Sequence, residues 1–241
     1  MGLINKLVVG LAVTVIVVVL VLGYFGFVPG LSEALGANTP KDLGVRPTSA
    51  DLQSANAKLG VTYSTLPAEA QGKTSLVETG THPIDVKLTS EEITALLNDH
   101  ASKWKYYPID HIQVRINADN TVEVSGVLRV DRWKGYADAI ELPESARSQV
   151  RPYLAYVTTN PSIYLKGTLS IHSPPQVTIQ EAQVGRIVLS QSQVDSFLFA
   201  IADFISYVAN LHGIQITSFE VYGGLVSVLG TAPNNVALSP P

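Results

Sequence analysis

The side chains able to do chemistry are few and scattered. Five histidines stand at positions 82, 100, 111, 172 and 212, and no two of them are four residues apart. No helix therefore offers a histidine pair to a metal, and the His-Glu-x-x-His arrangement of two ligands with a general base is absent. Without cysteine the chain has no thiolate nucleophile, no disulfide and no Cys-ligated metal. No Gly-x-Ser-x-Gly turn or usable Ser-x-x-Lys pair presents a serine for attack. The acidic pair Glu91-Glu92 falls in the first turn of a predicted helix, where carboxylates complete a cap and complement the helix dipole. Glycine-rich phosphate loops are absent. The residues thus predict no catalytic group, no metal, no cofactor and no enzyme. A formal net charge of −4 gives no electrostatic footprint for nucleic acid.

Two basic-aromatic clusters stand out. Lys103-Trp104-Lys105-Tyr106-Tyr107 ends one predicted helix, and Arg129, Arg132, Trp133, Lys134 and Tyr136 follow a predicted strand. Together they hold both tryptophans of the chain. Trp104, Lys105, Tyr106, Arg132, Trp133 and Lys134 are the candidates for contact with a membrane, with aromatic rings at headgroup depth and cations on phosphates, or with a glycan. The competing reading is a core tryptophan ringed by solvated charges. A third feature is the helix predicted from about Ser190 to Leu211. Val194, Phe197, Leu198, Ile201, Phe204, Ile205 and Val208 follow the i, i+3, i+4, i+7 pattern, and Phe199 widens the apolar face. Burial against a sheet explains such a face; so does a groove for an apolar ligand.

These features need elements to position them. The run Leu7 to Val28 has no charged residue. At about 1.5 Å per residue it is long enough to cross a hydrocarbon core of about 30 Å. Lys6 precedes it and no Lys or Arg follows before Lys41, so residues 1–6 are expected in the cytoplasm and the rest outside. A cleaved signal peptide, with a small-residue site near Ala34-Leu35-Gly36, is the alternative to this single-pass anchor over residues 7–28. Residues 29–81 are rich in Pro, Gly, Ser, Thr and Ala and read as a stalk, interrupted by one short helix capped by Thr48 and Asp51 and ended by Gly60. The folded domain is expected over residues 82–232, with a flexible tail at 233–241. Thr89 and Glu92 form a capping box for a helix to Trp104. Ile112, Val114 and Ile116 alternate into a turn at Asn117–Asn120, and Val122 to Val130 alternate out of it. Ile163 to Ile171 is a further strand, and Ile214 to Leu229 a closing hairpin around Gly223-Gly224. The class is α+β.

From about Leu88 to Pro233 the order of features resembles the YpmS-like membrane-anchored envelope proteins and, more distantly, the LmeA-like proteins and the tubular lipid-binding (TULIP) superfamily. The resemblance rests on Leu88-Thr89-Ser90-Glu91-Glu92-Ile93, Asn120-Thr121-Val122-Glu123-Val124-Ser125-Gly126, Pro161-Ser162-Ile163-Tyr164-Leu165-Lys166-Gly167, Val184-Gly185-Arg186-Ile187-Val188-Leu189 and Gly230-Thr231-Ala232-Pro233. The chain departs from the pattern at Ser190, where a proline usually precedes the long helix. The resemblance implies a curved antiparallel sheet packed on amphipathic helices. It also implies a groove suited to acyl chains, lined here by Phe197, Ile201, Phe204, Ile205 and Val208 with Leu165 and Leu169 opposite. It supplies no catalytic residue. The combined expectation is a membrane-anchored, extracytoplasmic binding protein for a lipid-like or amphipathic ligand. The alternatives are a structural or assembly subunit that meets other envelope proteins, and a glycan-binding envelope module.

Overall fold

In a computed structural model, residues 14–24, 28, 30–154, 159–172, 175–211 and 213–241 are described. The expected cytoplasmic tip at 1–6, residues 7–13 and 25–27 of the expected anchor, and His212 lie outside them. Five helices of seven residues or more follow residue 40: α1 (Ser49–Leu59), α2 (Ser90–Lys103), α3 (Trp133–Ala139), α4 (Glu144–Leu154) and α5 (Gln191–Val208). The strands are β1 (Thr62–Thr65), β2 (Leu76–Thr79), β3 (His82–Leu88), β4 (Ile109–Ile116), β5 (Val122–Leu128), β6 (Ser162–Ser170), β7 (Gln176–Val184), β8 (Ile187–Val188), β9 (Gln215–Tyr222), β10 (Leu225–Ala232) and β11 (Asn235–Leu238).

They form three sheets, ordered β4-β5-β6-β7-β8, β3-β10-β9 and β1-β11-β2. All pairs are antiparallel except β1 with β11. Ile171 and Phe219 exchange two backbone hydrogen bonds of 3.0 Å, which join the end of β6 to β9. Register slips at Lys166/Gly167 and Leu229/Gly230. At both glycines a Cβ would collide with the backbone opposite, 1.9 Å from the Thr178 oxygen and 2.0 Å from that of Gln215. Only glycine fits so close an approach.

The caps read from the sequence form. Thr89 Oγ1 accepts from the Glu92 amide at 3.1 Å, and Glu92 accepts from the Thr89 amide at 3.0 Å. Glu92 is buried and also takes Lys58 of α1 at 2.6 Å and Ser54 at 2.5 Å, which ties α1 to α2. Burial alone raises this carboxyl; those hydrogen bonds overcome it and hold its pKa below the usual value.

One face of α2 serves as a substitute strand for the open edge of β4. Ser90 Oγ accepts from the Ile116 amide at 3.0 Å, and Thr94 Oγ1 from the Val114 amide at 3.0 Å. Asn98 Oδ1 accepts from the Ile112 amide at 3.0 Å. Four helical residues rise ~6 Å and two strand residues ~6.6 Å, so the two ladders keep step. Edge groups that would otherwise recruit another chain are thereby satisfied.

Two domain boundaries are corrected. Residues 29–81 are not a stalk standing off the domain. Ala37, Leu43, Val45 and Ala55 are buried, and α1 packs with Leu52 and Leu59 against Ile84, Val86 and Val228. The tail is structured as well. β11 is the middle strand between β1 and β2, with Val236 and Leu238 buried. Outside α1, both segments carry isolated apolar residues that fill gaps in the domain and follow no long periodic run.

Half of the expected anchor is described. Residues 14–24 are helical, and Val15 to Leu22 expose every side chain by 40–57%. Among the described residues no helix is long and apolar enough to cross a membrane.

Candidate functional site

The long helix α5 starts at Ser190, whose amide and hydroxyl both donate to Gln193 Oε1 at 2.9 Å. Only Val194 of its 18 residues is fully buried. Val194 seats in a cluster with Ile179 and Ala182 of β7, joined by Leu165, Val177, Leu189, Phe197, Leu198 and Ile201. At the other end Phe204 and Tyr207 pack on a second cluster built on Trp104, Ile140 and Leu142. The Tyr207 hydroxyl lies 2.7 and 2.8 Å from the carbonyl oxygens of Ile140 and Glu141. The helix is thus pinned at both ends. Between them Phe197, Leu198, Ile201, Ile205 and Val208 are only partly buried, and Phe199 is 72% exposed.

The expected groove takes a different form. Leu165, Phe197 and Ile201 pack together around Val194, while Leu169 lies opposite Val177 in the sheet. None of the seven groove residues lines any of the four cavities that stand out among the described residues. The apolar surface is an open face rather than an enclosed slot, because the contact at Val194 fills the space between helix and sheet. A cavity of about 460 Å³ flanks the C-terminal half of α5, between Ser206, Ala209, Ile171 and Ile216. The largest of the four, about 690 Å³, has a mixed polar and apolar lining and lies elsewhere, against Asp110, His111, Arg129 and Asn160.

The two aromatic clusters meet in space. The Trp104 ring lies 5.6 Å from Tyr136 and 6.2 Å from Tyr107, and Trp133 lies 6.0 Å from Tyr136 and 6.5 Å from Phe204. Burial pushes the Tyr136 phenol up to about 12 and raises Tyr107 as well. Trp104 is 4% exposed and donates to Ser75 Oγ at 3.3 Å, so it is core rather than a membrane or glycan contact. Its indole is needed to cover β11 and α3. Arg132 is held on Asp110 at 3.1 Å, and Lys105 on the Ala68 carbonyl at 2.5 Å. Tyr106 and Trp133 are partly buried, and Lys134 is exposed, 3.9 Å from Asp138. Five of the six candidates therefore serve internal packing or pairing: Trp104, Lys105, Tyr106, Arg132 and Trp133.

The histidines stay apart. His82 bridges Asn234 and the Leu59 carbonyl at 2.8 Å each, while His172 faces Glu220 at 3.6 Å. Burial lowers the pKa of His100. Among the described residues no group of three acidic or histidine side chains is close enough to hold a metal ion.

Sequence reasoning missed the foot of the domain. Tyr24, the last described residue of the helical stretch 14–24, lies under the Arg186 guanidinium at 4.2 Å, and Arg186 donates to the Leu35 carbonyl at 2.6 Å. Gly23 sits so close to Leu31 that a Cβ would approach it to 2.6 Å. The apolar segment thus rests on the turn between β7 and β8. Comparison of the chain with models of protein families, with curated proteins and with solved structures gives no match.

Proposed function

We propose that the protein is a membrane-tethered, extracytoplasmic binding protein that engages a lipid-like or amphipathic molecule without chemistry of its own. Its architectural kin on this reading are the YpmS-like and tubular lipid-binding proteins. The observation that carries the proposal is α5: 18 residues, one fully buried, with Phe199 72% exposed beside partly covered Phe197, Leu198 and Ile201. An apolar patch on a soluble surface is costly unless something covers it. The uncharged run at 7–28 supports a membrane as the setting. Eight successive side chains from Val15 to Leu22 are exposed, and an all-apolar helical surface needs an apolar surrounding. Lys6 before the run favours the folded part outside.

The test is lipid extraction and mass spectrometry of the purified full chain. The wild type is expected to carry lipid. Phe199→Asp and Ile201→Asp should both lose it, and Phe199→Asp should keep cooperative unfolding, since Phe199 is already 72% exposed. A lipid-free wild type that self-associates or captures an envelope protein through the same face would replace this reading with that of an assembly subunit.

A further inference from the structure

Resting on the membrane-tether reading, we propose a second binding site: a cationic cavity at the foot of the domain that holds the phosphate of an anionic membrane lipid headgroup. The cavity measures about 240 Å³ and is lined by Gly36, Thr39, Lys41, Tyr164, Gln183 and Arg186 among others. Its two cations come from segments far apart in sequence, the loop before α1 and the turn between β7 and β8.

Charge pairing sets this cavity apart. Every other arginine of the chain has a carboxylate within 3.1 Å or closer. Arg186 has no acidic partner among the described residues; its guanidinium uses one N–H on the Leu35 carbonyl and lies over the Tyr24 ring. Lys41 likewise has no carboxylate partner among the described residues, and its ammonium stands 3.6 Å above the Tyr164 ring. The nearest acid that Tyr164 touches, Glu123, is engaged by Arg115, Asn117 and the Tyr164 hydroxyl. The pocket therefore offers two cations, the Thr39 hydroxyl and the second N–H of the Gln183 amide, whose first donates to the Gly185 carbonyl at 2.9 Å. Arginine forks match phosphate oxygens in two-point geometry, and lysine adds a point charge.

Position supplies the occupant. Tyr24 belongs to the apolar helical segment and Arg186 rests on it, so the cavity lies within about a turn of where the anchor at 7–28 would leave the bilayer. Aromatic and basic side chains collect at that depth, beside lipid phosphates. A phosphate held here would fix the domain's orientation over the membrane and so set how α5 faces its ligand.

The experiment uses the full chain in nanodiscs of phosphatidylcholine containing phosphatidylglycerol, with retained lipids counted by native mass spectrometry. The wild type is expected to retain phosphatidylglycerol in preference to phosphatidylcholine. Arg186→Gln and Lys41→Gln should each lower that preference about fivefold, and Arg186→Lys should restore part of it. Lys87→Gln, which removes an exposed cation of β3 outside the cavity, should leave it unchanged. No preference in the wild type, or none lost in either variant, overturns the proposal. If Arg186→Gln unfolds for want of its bond to Leu35, Lys41→Gln alone decides. A second arm titrates the detergent-solubilised protein with glycerol phosphate and with inorganic phosphate. Binding of these as tight as that of the lipid assigns the cavity to free phosphate and overturns the headgroup. Extraction of the protein from membranes by alkaline carbonate would instead overturn the tether on which the proposal rests.

Discussion

The Asn98 carboxamide and the Ile112 peptide unit form a closed pair of hydrogen bonds: Asn98 Oδ1 accepts from the Ile112 amide at 3.0 Å, and Nδ2 donates to its carbonyl at 2.7 Å. A side-chain amide thus takes the place of a neighbouring strand. Ile112 is buried and follows His111, which adopts a left-handed φ of 51° where β4 bulges.

Asn98→Leu keeps the bulk of this side chain and removes both bonds. It should destabilise the domain by about 2–4 kcal/mol, because two buried backbone groups lose their partners. Urea unfolding measures it, and a cost below about 0.5 kcal/mol would mean that water replaces the amide.

The two tryptophans should part company. Trp104→Ala opens a void under β11 and should cost about 3–5 kcal/mol. Trp133→Ala, at a partly buried site, should cost well under half of that. Equal losses on thermal or denaturant unfolding would contradict the burial difference between them.

Glu123 should govern part of the acid limb of stability. Burial favours its neutral form, but Arg115, Asn117 and Tyr164 hold the carboxylate at about 2. An unfolded glutamate titrates near ~4.3. A depressed carboxyl stabilises the fold above the unfolded pKa, and that stability drains away as pH falls from ~4.3 toward 2. Glu123→Gln should flatten the pH dependence of unfolding in this window and lower stability at neutral pH. An unchanged slope would show that other carboxyls carry the acid limb.

Removing residues 234–241 should abolish cooperative unfolding. β11 supplies the only partner of both β1 and β2 among the described residues, and Val236 and Leu238 close the Trp104 cluster. Near-ultraviolet circular dichroism would report the loss as a collapse of the tryptophan signal. A retained signal would mean that β1 and β2 hold without it.

Local rules made some elements legible. Thr48 with Asp51 and Thr89 with Glu92 announce α1 and α2, and the alternation through Ile112–Ile116 and Ile163–Leu169 announces β4 and β6. β3 went unread although Ile84, Val86 and Leu88 alternate with Asp85 and Lys87. β1, β2 and β11 were not readable. Each has four residues, and β11 pairs with strands more than 150 positions earlier, so no window of sequence contains the interaction that makes it a strand. The same limit hid the foot of the domain. Tyr24 and Arg186 each look ordinary in sequence, and only the fold brings them together. For α5 the sequence displayed the width of the apolar face, but not which part of it the sheet covers.

The placement of β11 has a consequence for biosynthesis. Synthesis runs from N to C, so β1 and β2 emerge with a gap between them that stays empty until residues 235–238 arrive. During that interval Trp104 lacks its cover, and the nascent chain shows both an unpaired edge and an apolar surface. A ribosome that stalls anywhere in the last hairpin leaves that surface uncovered. The late strand thereby makes folding wait on the synthesis of residues 235–238, and exposes chains that lack them to holdases and proteases that chains carrying them escape.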